Sequence, residues 1–386
     1  MPLARRKMDA YVVDACRTPR GRRKGSLAGV HPIDLCIAPM AAMVARTRID
    51  PREIEDVVIG CVTETDEQGA CVARSAVLGA GWPIEVPGVT LNRFCGSGQT
   101  AVNLAAHAVA AGAHDVVYAG GVESMTRVPM GADMGALPAS LMQRYDLVPQ
   151  GLAAEMVAQR WGYTRRQLDE FALESQRRAW QAIQEQRFAK SMVPVSVPSV
   201  DGASKQFDTD EHPRPQSTLD GLMALPPSFR PDGVIHAGNS SGVVDGAAGV
   251  LIASERGIER LGLKPRARIV DTVVVGSEPV VMLTGPIPAC QKILARTGMS
   301  VKDIDLVEVN EAFAPVPMIT MQEIGFPHDK VNVNGGAIAL GHPLGATGAM
   351  LIGTVLDELE RRNQTVGLTT MCIGLGMGIA TIIERV

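Results

Sequence analysis

Aromatic residues make up only 4% of this 386-residue chain, so neither an aromatic-rich core nor a base-stacking surface is on offer. Its seven cysteines show no C-x-x-C pair, which speaks against a zinc site, and their spacing suggests no disulfide framework. Excess positive charge is also missing. A net charge of -4 and a pI near 6.0 argue against a nucleic-acid binder. No apolar run is long enough to span a membrane, and the basic residues 1–7 are not followed by the apolar segment of a signal peptide. No nucleic-acid partner and no membrane insertion are therefore expected, and a reducing cytoplasm is the expected setting. A cryptic organelle address in the basic start is the minor alternative.

What the chain has in quantity is glycine and small apolar residues, arranged in alternating strand-like and helix-like runs. Tyr11 to Cys16, Ile54 to Gly60 and Asp115 to Gly121 read as strands; Ile33 to Arg46, Ala70 to Gly79 and Ala101 to Ala111 read as helices. That rhythm predicts an α/β fold with a mostly parallel sheet covered on both faces. The basic loop Arg17 to Lys24 is expected to be a solvated rim, with an acidic partner or ligand as the alternative. From Glu123 to about Gly238 methionine, proline and charge take over, around one amphipathic helix near Arg165 to Glu185. This stretch is read as an insertion covering one face of the sheet and lining a ligand site.

The chain then repeats itself. Ile54 to Ile59 is echoed by Ile304 to Val309, the Cys95 turn and its helix by Gly341 to Gly348, and Val116 to Gly120 by Val366 to Thr370. The offsets are all about 250 residues, which points to two related half-domains. The expected division is 1–122, an inserted 123–245, and 246–386.

The chemistry gathers at predicted strand ends. Asn92 to Thr100, with Cys95 at a helix start, leaves small residues around a thiol. The helix dipole is expected to make that thiol more acidic than a free cysteine; an inert buried cysteine is the plainer reading. Three more strand-end features join it: Asn310 in Asn310-Glu311-Ala312-Phe313, His342 in Gly341-His342-Pro343, and Cys372 in Cys372-Ile373-Gly374-Leu375-Gly376. A Cys–His pair provides an activated thiolate, a second cysteine can move a proton at carbon, and Asn or backbone N–H groups can hold an oxyanion. Such a set suits making or breaking a C–C bond beside a thioester.

Together Asn92 to Gly98, Asn310 to Pro315, Val331 to Ala346 and Cys372 to Gly378 resemble the signatures of the thiolases, over essentially the whole chain from Ala10 to Val386. The resemblance implies duplicated α/β half-domains in α-β-α-β-α layers with an inserted loop domain. It implies Cys95 as the acyl-carrying nucleophile and His342 as its base and oxyanion-hole donor. Asn310 is then expected to orient a water, Cys372 to be the acid/base at the substrate α-carbon, and the N–H groups of Cys95 and Gly374 to form a second oxyanion hole. Coenzyme A is the implied co-substrate, with no permanently bound cofactor and no metal. Ser241 in Gly238-Asn239-Ser240-Ser241-Gly242, Arg214 and Phe229 match its contacts. Pro149-Gln150-Gly151 replaces the His-Met-Gly usual in acetoacetyl enzymes, and Leu375 replaces a glycine of many biosynthetic members. Both departures favour a degradative 3-ketoacyl-CoA thiolase, homodimeric or homotetrameric, over an acetyl-CoA C-acetyltransferase.

Other readings fare worse. Gly238 to Gly242 fits G-x-S-x-G, but a strand-like run follows where a nucleophile elbow needs a helix. Gly374-x-Gly376-x-Gly378 lacks the dinucleotide spacing, and only eight residues follow it. A condensing synthase of the same fold usually has His or Asn where Cys372 stands, and a non-catalytic lipid or CoA binder is expected to have lost Cys95 or Cys372.

Overall fold

A computed structural model describes residues 9–198 and 204–386; the basic residues 1–7 lie outside them. Nine strands form one continuous path: β1 (Ala10–Arg17), β2 (Asp56–Gly60), β3 (Val89–Leu91), β4 (Val116–Ser124), β5 (Val244–Ser254), β6 (Ala267–Gly276), β7 (Leu306–Val309), β8 (Val366–Ile373) and β9 (Met377–Arg385). Their spatial order is β7-β8-β9-β6-β1-β5-β4-β2-β3. A two-residue strand, Gly21–Arg22, pairs with β5 at the side of this path.

The order divides into two copies of one pattern. In the first, β2 runs parallel to β3 and β4, β4 antiparallel to β5, and β5 antiparallel to β1. In the second, β7 runs parallel to β8 and bridges Val331, β8 is antiparallel to β9, and β9 to β6. Short antiparallel pairing of Tyr11 and Val12 in β1 with Arg268 and Ala267 in β6 joins the copies. The three sequence echoes are thus equivalent elements of a duplicated α/β fold.

Five layers follow from which helix faces are apolar. Helices α1 (Pro32–Thr47) and α2 (Val72–Gly79) cover the outer face of the first copy. Four helices cover the second: α4 (Gln150–Arg160), α5 (Arg165–Gln184), α6 (Pro286–Thr297) and α7 (Pro315–Ile324). Between the copies lie α3 (Ser97–Ala110) and α8 (Leu344–Arg362). Every residue of α8 from Leu344 to Leu359 is buried, as a helix apolar around its whole circumference requires. Likewise β5 is buried along its length, which explains its unbroken run of Gly, Ala, Val and Leu where a half-exposed strand would alternate. Helix α5 starts at a capping box formed by Thr164 and Gln167, worth about 1 kcal/mol.

The N-termini of α3 and α8 nearly touch. A Cβ on Gly98 would collide with the Gly345 carbonyl, and one on Gly348 with the backbone of Gln99. Only glycine allows the two middle-layer helices to bring their first turns so close.

The basic loop departs from expectation. Arg17 and Arg20 are buried, and Arg17 makes a two-pronged pair with Asp210 at 2.8 Å on each oxygen. Asp210 also accepts the Arg20 N–H at 2.8 Å. The loop is therefore not simply a solvated rim: its first arginines dock the 208–212 segment onto the end of β1, and the exposed ones follow at Arg22 and Arg23.

Candidate active site

Three turns converge where α3 and α8 begin. Cys95 and His342 each stand two residues before the first residue of their helix, Ser97 and Leu344. Cys95, Leu344 and Ile373 belong to one apolar cluster, and a Cβ on Gly96 would collide with Ile373, the neighbour of Cys372. The backbone N–H groups of Cys95 and Gly374 lie near enough to the Cys95 sulfur to favour its thiolate. On the other side, Asn310 at the end of β7 places its Nδ2 3.3 Å from His342 Nε2.

The His342 ring is fixed from behind. Its Nδ1 lies 2.6 Å from the Thr347 hydroxyl, which itself donates to the Pro343 carbonyl at 3.1 Å. A hydroxyl that donates to a carbonyl has its oxygen free to accept, so Nδ1 carries the proton and Nε2 offers a lone pair; this tautomer is assigned from the partners. Asn310 Nδ2 then donates to Nε2, while its Oδ1, though buried, has no partner among the described residues. Thr347 was not singled out from sequence. A hydroxyl one helical turn after a candidate base was the available signal.

Electrostatics correct one expectation. The Cys95 thiol is not more acidic than a free cysteine: burial pushes it up to about 12, against the pull of the Cys95 and Gly374 N–H groups. The magnitudes explain why. A helix terminus contributes about 0.3–2 kcal/mol, whereas full burial can move a pKa by about 3–5 units. Burial also raises the Cys372 thiol, with the neighbouring Cys95 adding to the effect. It depresses His342 to about 3, helped by the charge of Arg20. At neutral pH the resting centre is therefore two thiols and a neutral imidazole.

Beside it opens a cavity of about 1120 Å³ lined by Arg22, Arg23, His212, Arg214, Leu222 and Ser241, among others. The Gly238–Gly242 turn connects it to the centre. Ser241 N–H donates to the Ala312 carbonyl at 2.9 Å and His342 N–H to the Gly242 carbonyl at 2.9 Å. A buried trio sets the turn itself: Asp169 Oδ1 lies 2.6 Å from His236 Nε2 and accepts from Asn239 Nδ2 at 2.9 Å. Arg214 and Ser241 share the cavity. Phe229 does not line it; its ring packs edge-on against Phe313 at 6.0 Å, directly over Gly151. Arg22 and Arg23, the exposed end of the basic loop, and His212, which the sequence left unassigned, also line the cavity. No His/Cys/Asp/Glu cluster suited to a metal occurs among the described residues.

This arrangement gathers Cys95, His342 and Cys372 at the starts of the two middle-layer helices of a duplicated α/β scaffold. Family comparison agrees: residues 10–256 match "Thiolase, N-terminal domain" and residues 263–385 match "Thiolase, C-terminal domain". The chain belongs to the thiolase family. It is 43% identical over 400 residues to a beta-ketoadipyl-CoA thiolase of Acinetobacter baylyi, covering 98% of this chain and 99% of that one. It is 45% identical over 386 residues to a 3-ketoacyl-CoA thiolase of Aeromonas hydrophila, covering 98% and 100%. The crystal structure of human mitochondrial 3-ketoacyl-CoA thiolase in complex with CoA superposes with a TM-score of 0.91 at 37% identity, over 98% of both chains.

Proposed function

We propose that this chain is a 3-ketoacyl-CoA thiolase, an acetyl-CoA C-acyltransferase that cleaves 3-ketoacyl-CoA with free CoA in fatty-acid or related acyl degradation. The observation that carries the reading is the pairing of two buried thiols beside convergent N–H donors and a neutral histidine. Family membership and the relatives named above support it.

The residues act as follows. His342 Nε2 takes the Cys95 proton as the sulfur attacks the 3-keto carbon, so that charge forms only with substrate in place. The 3-keto oxygen, now an oxyanion, rests between the Cys95 and Gly374 N–H groups. The new imidazolium Nε2–H and a water held by the open Asn310 Oδ1 steady the thioester oxygen as charge passes to C2. The C2–C3 bond breaks, its electron pair stays on C2, and the Cys372 thiol protonates that carbon to release acetyl-CoA. A second CoA then gives its proton to the Cys372 thiolate and attacks the acyl carbonyl on Cys95, whose oxygen rests between the Cys95 and Gly374 N–H groups. Cys95 leaves as a thiolate, recovers its proton from His342, and the shortened acyl-CoA departs.

The cavity suits CoA. Arg22, Arg23 and Arg214 offer charge to its phosphates, Arg214 a cation for its adenine, and Ser241 a hydroxyl to pantetheine. Phe229 is assigned only the outer wall. The chain is further assigned to a homodimer or homotetramer in the cytoplasm; no described helix is long and apolar enough to cross a membrane. CoA-dependent cleavage, followed by loss of 3-ketoacyl-CoA over short, medium, branched and dicarboxylic substrates, tests the function. Activity on acetoacetyl-CoA alone would make it an acetyl-CoA C-acetyltransferase, and no cleavage of any substrate would leave the non-catalytic reading.

A further inference from the structure

Glu123, next to last in β4, is completely buried yet takes no direct part in the chemistry above. Its carboxylate accepts four hydrogen bonds. Oε2 takes the N–H of Val62 at 3.0 Å and of Gly345 at 2.8 Å; Oε1 takes the N–H of Thr63 at 3.1 Å and Gln68 Nε2 at 2.9 Å. Four donors on two oxygens leave no place for a carboxyl proton, so the group is held as an anion although burial opposes it.

The contacts lead to both catalytic turns. The Val62 carbonyl accepts from Asn92 Nδ2 at 2.8 Å, and Asn92 Oδ1 accepts the Phe94 N–H at 2.7 Å, which braces the residue just before Cys95. Gly345 lies in the first turn of α8, with Pro343 and Thr347 that seat the His342 ring. We propose that Glu123 is a positioning residue for the acyl-transfer reaction, a single fixed anion that clamps the Cys95 turn of one half to the His342 turn of the other. The inference rests on the function proposed above. The same charge faces Cys95 and adds to the burial that keeps its thiol protonated until substrate arrives. The other titratable group coupled to that thiol is Cys372 from β8.

Glu123→Gln tests this, because an amide offers one oxygen and must turn a donor towards N–H groups. In folded variant, kcat for thiolysis should fall about tenfold or more with KM for CoA within about twofold, since geometry and not CoA contact is lost. Iodoacetamide alkylation of Cys95, read by mass spectrometry against pH, should shift to lower pH by about half a unit or more once the charge is gone. Glu123→Asp keeps the charge but is too short to span both turns. It should restore the alkylation profile without restoring kcat. Turnover within twofold of the parent in folded Glu123→Gln, or an unshifted profile, overturns the proposal. Should that variant not fold, Gln68→Ala removes one of the four donors, and an unchanged kcat there overturns it equally. Alkylation needs no acyl-CoA. A parent that cleaves no 3-ketoacyl-CoA but shows the predicted alkylation shifts would overturn the functional reading and leave the electrostatic role of Glu123 standing.

Discussion

Cys95 and His342 occupy one position in two copies of a single scaffold, and their surroundings show how a duplication divides labour. Each follows a residue with positive φ: Phe94 at 44° and Gly341 at 91°. Each also has a threonine five residues on, Thr100 and Thr347. Glycine takes such a backbone freely, whereas an L side chain there costs roughly 1–2 kcal/mol. The Cys95 turn bears that cost and offsets it with the Asn92 brace on Phe94 and with Phe94 packed against Gly374. The threonines have parted. Thr347 holds the His342 ring, while the Thr100 hydroxyl accepts a long hydrogen bond from Arg93 Nη1, at 3.4 Å. What the duplication preserves is the turn; the chemistry depends on what each turn carries.

The largest test of that division is removal of either sulfur. Cys95→Ala should abolish acyl-enzyme formation and lower turnover by about 10⁴-fold or more, with the fold kept, because losing one small buried atom costs only about 1 kcal/mol. Cys372→Ala should lose about 10²–10⁴-fold in C–C cleavage yet still load an acyl group onto Cys95 from a simple acyl-CoA. Intact-mass measurement after incubation without free CoA separates the two. An acyl group on Cys372 alone, or normal cleavage by Cys372→Ala, would reverse the assignment.

Much of this was legible in the sequence because it lies in local pattern. Small residues around Cys95, strand-end positions for Asn310 and Cys372, and the three echoes all mark backbone that must turn tightly or repeat. Less legible was what depends on distant partners. Nothing local marks Arg17 and Arg20 as buried, since Asp210 lies far along the chain. Nor could a dipole argument foresee the protonated resting thiol, because burial is a property of the assembled layers. Glu123 reads from sequence as the first residue of the inserted stretch, yet the strand runs on through it and Gly345, 222 positions away, donates to it.

The two threonines sharpen the comparison at a smaller scale. Thr347→Val strips Nδ1–H of its acceptor, which costs about 1–3 kcal/mol in a buried site and frees the ring to turn. Its kcat should fall about tenfold to a hundredfold. Thr100→Val, the equivalent change in the other half, should stay within about threefold. Equal losses would mean that the threonines serve helix packing and not the histidine.

His342 also predicts a pH dependence. Its folded pKa of about 3 lies below the ordinary value near 6.5, so on acidification the unfolded chain takes up a proton that the folded one refuses. The stability involved is present above about pH 6.5 and is lost as pH falls towards about 3. Urea unfolding of the parent should therefore weaken more steeply over that window than unfolding of His342→Asn. Parallel curves would show that the ring can be protonated in the folded state.

The smallest effect concerns the Cys372 turn, which has no left-handed glycine at its first tight position. Leu375 and Gly376 adopt successive positive φ values of 60° and 77° between β8 and β9. Such a hairpin normally places Asn or Gly at both positions. Sequence comparison treats Leu375 as a branch marker, and the backbone supplies the physical content: leucine stands here at a conformational cost. Truncation to alanine removes the exposed side chain and keeps that cost; truncation to glycine removes both. Leu375→Gly should therefore be more stable than Leu375→Ala by roughly 1 kcal/mol. That reverses the order at an ordinary strand position, where glycine is the weaker by roughly 0.5–1 kcal/mol. Thermal unfolding of the two variants side by side reads the sign directly. If alanine proves the more stable, the turn is unstrained and Leu375 needs another explanation.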